Sequence, residues 1–249
     1  MTAKDSASFM IRGNDTLVYV ENYPKANGVR VEYEYKDSTF LHYYKDVAFQ
    51  YKVDSLKSKA SMRYWKEGLR IYLSKSIFGK PKREFKRFAK EIGEVSDSLK
   101  VSFVSKVEES NYIIYAQGDF EYESSLINQK YSDFYLFWNG KNQIYKCALK
   151  VNKKQMFNNE LLTYKLKELF FKSLGYFSLS DELSCDNYFS NCFSKNKKLS
   201  RLDKALLKYH YSYGICKGTT LSVFEEQQQL MKKSLKENPN AKLYFLHSD

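Results

Sequence analysis

The chain places a carboxylate and an ammonium four residues apart. They are Glu168 and Lys172, near the end of ELLTYKLKELFFKSLG, residues 160–175. One helical turn carries such a pair to a common face. The pair reads either as an ion pair that supports a helix by about 0.2–0.5 kcal/mol or as a residual cleft holding one acid and one base. Histidine, the usual proton carrier and metal ligand, occurs only as His42, His210 and His247. No two of these are spaced i,i+4, and none lies on the 160–174 stretch. Zinc hydrolysis needs about three protein ligands and an open position for water. Leu169 cannot serve as a base, and a protonated Lys172 repels a cation. His210, in KYHYSYG, is the histidine to weigh as a ligand or proton carrier, against a structural role near a helix end. Ser173 lacks the GxSxG frame and an assignable base. Neither GxxxxGK nor GxGxxG occurs. Asp181, Glu182 and Asp186 offer oxygen ligands for calcium but lack EF-hand spacing, and read as a solvated loop. No metal, zinc included, and no other cofactor is expected.

Those residues have to be positioned by elements that hydrophobic periodicity outlines. Residues 16–21 and 29–36 read as a hairpin or two short strands. GLRIYLS (68–74), KVSFVSKV (100–107) and NYIIYAQ (111–117) read as strands. Pro81 suits the first turn of a helix, and apolar residues recur at helical spacing from Phe85 through Leu99. DFYLFW (133–138) and QIYKCALKV (143–151) flank Asn139-Gly140, a hairpin signal because both residues accept positive φ. The helix over 160–174 carries Leu162, Leu166, Leu169, Phe170 and Leu174 on one stripe, with Gly175 as its C-terminal cap. Ser200 and Asp203 cap a helix to about Tyr211, and Ser222 with Glu225 forms a capping box for the last one. The end, NPNAKLYFLHSD, adds a strand or stays loose.

Composition bounds the rest. With 249 residues, 43% hydrophobic and 17% aromatic, and only 3 Pro and 10 Gly, the chain can build a core and is not linker-like. Its formal net charge of +12 suits an anionic partner or simply solvates the fold. Twelve Lys or Arg fall between Lys57 and Lys90, against Glu67 and Glu84. No zinc-finger spacing or RNA-reading motif accompanies this stripe, so nucleic acid is not the expected partner; an anionic surface is one candidate beside a protein or peptide. No run of about 18 apolar residues spans a membrane. No signal peptide is visible, and MTAKDSAS fits a trimmed or a native start. Of four cysteines, Cys185 and Cys192 lie seven positions apart in a polar loop and form the expected disulfide; four buried thiols are the alternative.

Several stretches, taken in order, resemble a bacterial family known as domain of unknown function 2927, which is similar to metzincin-type zinc proteases. They are DVAFQ (46–50), Trp65 with GLRIYL, EESNYIIYAQGDFEY (108–122), FYLFWNGKNQIYKCALKV (134–151), KELFFKSLG (167–175) and LSRLDKALLKYHYSYGICKGTT (199–220). Together they span roughly residues 45–230. The resemblance implies an α+β, zincin-like mixed sheet with packed helices. It implies a metal helix ending at Leu174-Gly175, with Glu168 and Lys172 at the histidine positions and Leu169 at the catalytic glutamate. The family commonly has Glu, Glu and Gln there; this chain keeps the first. The third ligand would fall near Ser178–Asp181, where no histidine occurs.

The expected organisation is an N-terminal β extension (1–44), a metzincin-like domain (45–235) and a tail (236–249). The expected function is that of a non-catalytic pseudo-metalloprotease outside the cytoplasm, with a vestigial site of Glu168, Lys172 and His210 that binds a peptide or surface partner. The alternatives are a metal-dependent peptidase with unorthodox ligands and an anion-binding module using the Lys57–Lys90 stripe.

Overall fold

The computed structural model describes residues 9–12, 15–18, 29–49, 60–156 and 158–247. MTAKDSAS, the end of the 16–21 run and Lys57 lie outside them. Strands β1 (Phe9–Arg12) and β2 (Asp15–Val18) pair antiparallel. Strand β3 (Val29–Tyr33) does not join them in a hairpin. It pairs antiparallel with the last strand, β10 (Leu243–His247), Tyr33 opposite Leu243. The C-terminal tail therefore pairs with the N-terminal extension.

Helix α1 (Ser38–Ala48) is capped by Asp37, whose carboxylate accepts from the Phe40 N–H at 2.9 Å. Its Tyr44 and Val47 are fully buried. The expected boundary after residue 44 thus falls inside a helix that belongs to the core.

The main sheet has six strands: β4 (Tyr64–Trp65), β5 (Leu69–Leu73), β6 (Val101–Val104), β7 (Tyr112–Ala116), β8 (Asp133–Trp138) and β9 (Gln143–Val151). Across it, β6, β5, β7 and β9 lie in that order and run parallel. β8 runs antiparallel along the outer side of β9, and β4 runs parallel to the start of β9. This is a mixed α+β sheet, parallel in the middle with one antiparallel edge. Helix α2 (Gly79–Gly93) connects β5 to β6, and α3 (Asn159–Ser173) follows β9. Two further helices, α4 (Arg201–Tyr211) and α5 (Leu221–Glu237), come after the loop.

Side chains alternate across the sheet as strand geometry requires. Leu69, Ile71, Tyr112, Ile114, Cys147 and Leu149 join the large core that includes Phe85 of α2 and Phe170 of α3. Ile113, Tyr115 and Ala148 form a smaller cluster on the opposite face with Leu126. Beneath that second cluster Lys150 is buried, its Nζ 2.5 Å from Glu121.

Three local expectations shift. Helix α2 stops at Gly93, and Leu99 is buried from the turn that follows it. The β8–β9 loop is Asn139–Asn142: the positive φ of 59° belongs to Asn142, while Asn139 Oδ1 accepts from the N–H groups of Lys141 and Gln143. Side-chain bonding of this kind lets a four-residue loop replace the tight Asn-Gly turn. Helix α5 is capped by Thr220, two residues before the expected Ser222.

Candidate functional site

Helix α3 begins where Asn158 Oδ1 accepts from the N–H groups of Glu160 and Leu161 at 3.0 and 2.9 Å. Its apolar stripe seats Phe170 against Phe85 of α2 and Tyr112 of β7, with ring centroids 5.2 and 5.5 Å apart. Leu169, which the resemblance would put at a general-base position, is 4% exposed and packed in the core.

Glu168 does not pair with Lys172. Its carboxylate meets Lys165, at i−3, with 2.9 Å between Oε2 and Nζ. Both spacings bring side chains together on a helix, so the expected i,i+4 pair gives way to its neighbour. Lys172 is half-buried and has no carboxylate in ion-pair range among the described residues. Glu168 also raises the Tyr164 hydroxyl, which burial first and this charge second push up to about 12. Along this flank runs a cleft of about 450 Å³ between α3, the start of α2 and the 188–197 loop, lined by Lys80, Glu84, Tyr164, Lys167, Phe193 and Lys197. Burial lowers the ammonium groups of Lys167 and Lys197 from their ordinary range. The cleft is therefore a mixed-charge, aromatic-walled groove, with Phe193 edge-on to Tyr164 at 5.0 Å.

The end of α3 is held from several elements. The Trp65 indole N–H donates to Ser173 O at 3.1 Å, and the Tyr211 hydroxyl donates to Leu174 O. The Phe177 N–H donates to Lys172 O at 2.8 Å, the bond of a Schellman motif. The left-handed residue of that motif is Tyr176, φ 53°, rather than the expected glycine. Gly175 is needed for space: a Cβ there would stand 2.4 Å from the Phe177 ring and 2.9 Å from His210 Nε2. A left-handed tyrosine costs about 1–2 kcal/mol. It is held by stacking on Trp138 of β8, centroids 5.7 Å apart, with the Arg63 guanidinium 4.3 Å from the Trp138 ring and 4.9 Å from Tyr176. This cation–aromatic stack between the end of α3 and strand β8 is not visible in the sequence beyond a tyrosine after Leu-Gly.

His210 is fully buried. Its Nε2 lies 2.9 Å from Arg63 O, so Nε2 carries the proton and donates; its Nδ1 then accepts from the Tyr44 hydroxyl at 3.0 Å. Burial, then the charge of Lys217, pushes its pKa down to about 3. Lys217 itself donates to His210 O, and burial lowers its ammonium to about 7. A neutral imidazole with both nitrogens engaged is a packing element between α1 and α4. His42 sits on the surface 2.8 Å from Glu182, and His247 lies in β10.

Cys185 and Cys192 form a disulfide, and Cys147 and Cys216 are free. The loop it closes is tied down by Asp203, which accepts from the N–H groups of Tyr188, Phe189 and Ser200. The three acids weighed for calcium diverge: Asp181 accepts from Asn191, Glu182 meets His42, and Asp186 accepts from Ser194. Among the described residues, no three His, Cys, Asp or Glu side chains are grouped as a metal site would require. No helix among them is long and apolar enough to cross a membrane.

No protein-family model and no curated protein matches the chain. The resemblance drawn from the sequence therefore rests on the order of its motifs. The geometry separates the candidate residues: Glu168 pairs with Lys165 and is not among the residues that line the cleft, Lys172 stands a turn further along, and His210 is buried against Gly175.

Proposed function

We propose that this chain is a non-catalytic, metzincin-like protein that acts outside the cytoplasm by binding a peptide or surface partner in the cleft beside α3. The observation that carries this reading is the α3 helix itself. Its apolar stripe and Leu174-Gly175 stop are what the resemblance implies for a metal helix, while a buried Leu169 takes the implied base position and Lys165 neutralises Glu168. A mixed sheet with helices packed on it agrees with the architecture the resemblance implies. The Cys185–Cys192 disulfide supports an oxidising compartment.

Elemental analysis of purified protein, with and without Glu168→Ala, tests the reading together with a chelator-sensitive peptidase assay. The expected result is zinc well below one equivalent, unchanged by the substitution, and no chelator-sensitive cleavage. Stoichiometric zinc that Glu168→Ala abolishes overturns the proposal in favour of a peptidase with unorthodox ligands.

A further inference from the structure

Away from the α3 cleft, strand β6 forms the other edge of the main sheet. The Leu69 N–H of β5 donates to Lys100 O at 2.7 Å, and Val101 pairs with Leu69 in register. In a parallel ladder, alternate residues bond to the same neighbour. The N–H and C=O groups of Val101 and Phe103 therefore point outward, and no described strand pairs with them. Such a row of open donors and acceptors is a template for an added strand.

This edge is bordered by cations. Helix α2 buries Pro81, Phe85, Phe88, Ala89 and Ile92, which leaves its charges on the remaining faces. Arg83, Lys86, Arg87 and Lys90, at i, i+3, i+4 and i+7, line a groove of about 540 Å³ with Val101, Ser102 and Phe103. Among the described residues no carboxylate lines it. Glu84 stands beside it, 3.3 Å from Arg87, which is itself largely exposed. Lys86 Nζ lies 4.8 Å over the Phe103 ring, and Phe103 packs edge-on against Phe85. The side of β6 that faces α2 is thus also the side on which the cations lie. Exposed Lys100 and Lys106 bracket the strand.

We infer that the outer edge of β6 and the basic face of α2 form a docking site for an acidic peptide, bound in extended conformation as an added strand. Backbone bonds to Val101 and Phe103 supply the register. Carboxylates on every second residue of the peptide would face α2. Two alternate residues on a strand are about 6.6 Å apart and three span about 13 Å; Arg83 to Lys90 spans about 10.5 Å of helix. Two to three alternating acids match that length. This repeat explains why the partner is a peptide: an anionic surface or a duplex uses the charges but not the open backbone groups. It also gives a role to the part of the Lys57–Lys90 stripe that lies on α2, while Arg70 points elsewhere, its Nε donating to Glu109 O.

Fluorescence anisotropy with a labelled eight-residue peptide of alternating Glu and Val tests the inference. One set of comparison peptides carries backbone N-methyl groups on the residues that would bond to β6; another carries them on the residues between. The first set should bind about tenfold more weakly than the parent, the loss of one to two hydrogen bonds, and the second should match the parent. Lys86→Glu with Lys90→Glu, both on the helix surface, should abolish binding while the circular dichroism spectrum is retained. Equal weakening by both methylation patterns, no binding of the parent peptide, or tighter binding to duplex DNA or phosphatidylglycerol vesicles each overturns it. None of these results depends on zinc, so this test and that of the α3 cleft fail independently.

Discussion

Replacing His210 by glutamine separates a structural histidine from a functional one. In the folded chain Nε2–H donates to Arg63 O and Nδ1 accepts from Tyr44, so the neutral ring is fully satisfied. A second proton would sit at Nδ1 in a buried site, and the folded pKa lies at about 3. The unfolded pKa is about 6.5. As pH falls, the unfolded chain therefore takes up this proton first. The associated stability is fully present above pH 6.5 and is lost progressively as pH falls toward the folded pKa of about 3. The slope is about 1.4 kcal/mol per pH unit, which makes the loss about 2 kcal/mol by pH 5. Urea denaturation of wild type and His210→Gln at pH 7 and pH 5 measures it. The variant starts less stable, by about 1–3 kcal/mol for a buried partner left unsatisfied, but lacks this part of the acid loss. The surface pair His42–Glu182 is common to both proteins and cancels in the difference. Equal acid loss in the two proteins, or a His210 imidazole that titrates near 6.5 by NMR, refutes the buried, neutral assignment.

Two further outcomes follow from the end of α3 and the loop beyond it. Gly175→Ala forces a methyl group against the Phe177 ring and His210 Nε2; overpacking of this kind costs about 1–3 kcal/mol, read as a lower urea midpoint with an unchanged m value. Replacing Cys185 and Cys192 by serine opens a seven-residue separation; by chain entropy this lowers stability by about 2–3 kcal/mol. Thermal melts under oxidising and reducing conditions check it, since the double variant should melt where reduced wild type does.

Much of the sheet is written in local pattern. β5 stands where alternation puts it, because a strand that buries one face has to alternate; β7, buried on both faces, and the β8–β9 hairpin stand where their aromatic and β-branched runs put them. The errors fall where several local solutions were close in energy. Asn139-Gly140 offered a two-residue turn, yet Asn139 used its side chain to close a longer loop around Asn142. Thr220 and Ser222 are both good caps, and the buried bond from Leu221 N–H to Ala60 O fixed the helix start at the first. Glu168 had lysines at both i−3 and i+4, and helical spacing alone cannot choose between them. The role of His210 was illegible for a different reason. Its hydroxyl partner, Tyr44, lies 166 residues away on α1, at the end of the stretch expected as a β extension. The Arg63–Trp138–Tyr176 stack likewise joins three distant segments, and no local motif announces it.

The pairing of β3 with β10 has a consequence in time. Its two strands lie more than two hundred residues apart, so β3 leaves the ribosome well before its partner. At about 5–20 residues per second the first strand waits for ten seconds or more. Throughout that interval its pairing edge lacks the partner it has in the finished fold, while β5 to β9 and α3 can already assemble. This hydrogen-bonded ladder thus acts as a latch set after the main sheet, and a nascent chain stalled before residue 243 leaves β3 open to the β10 of another copy.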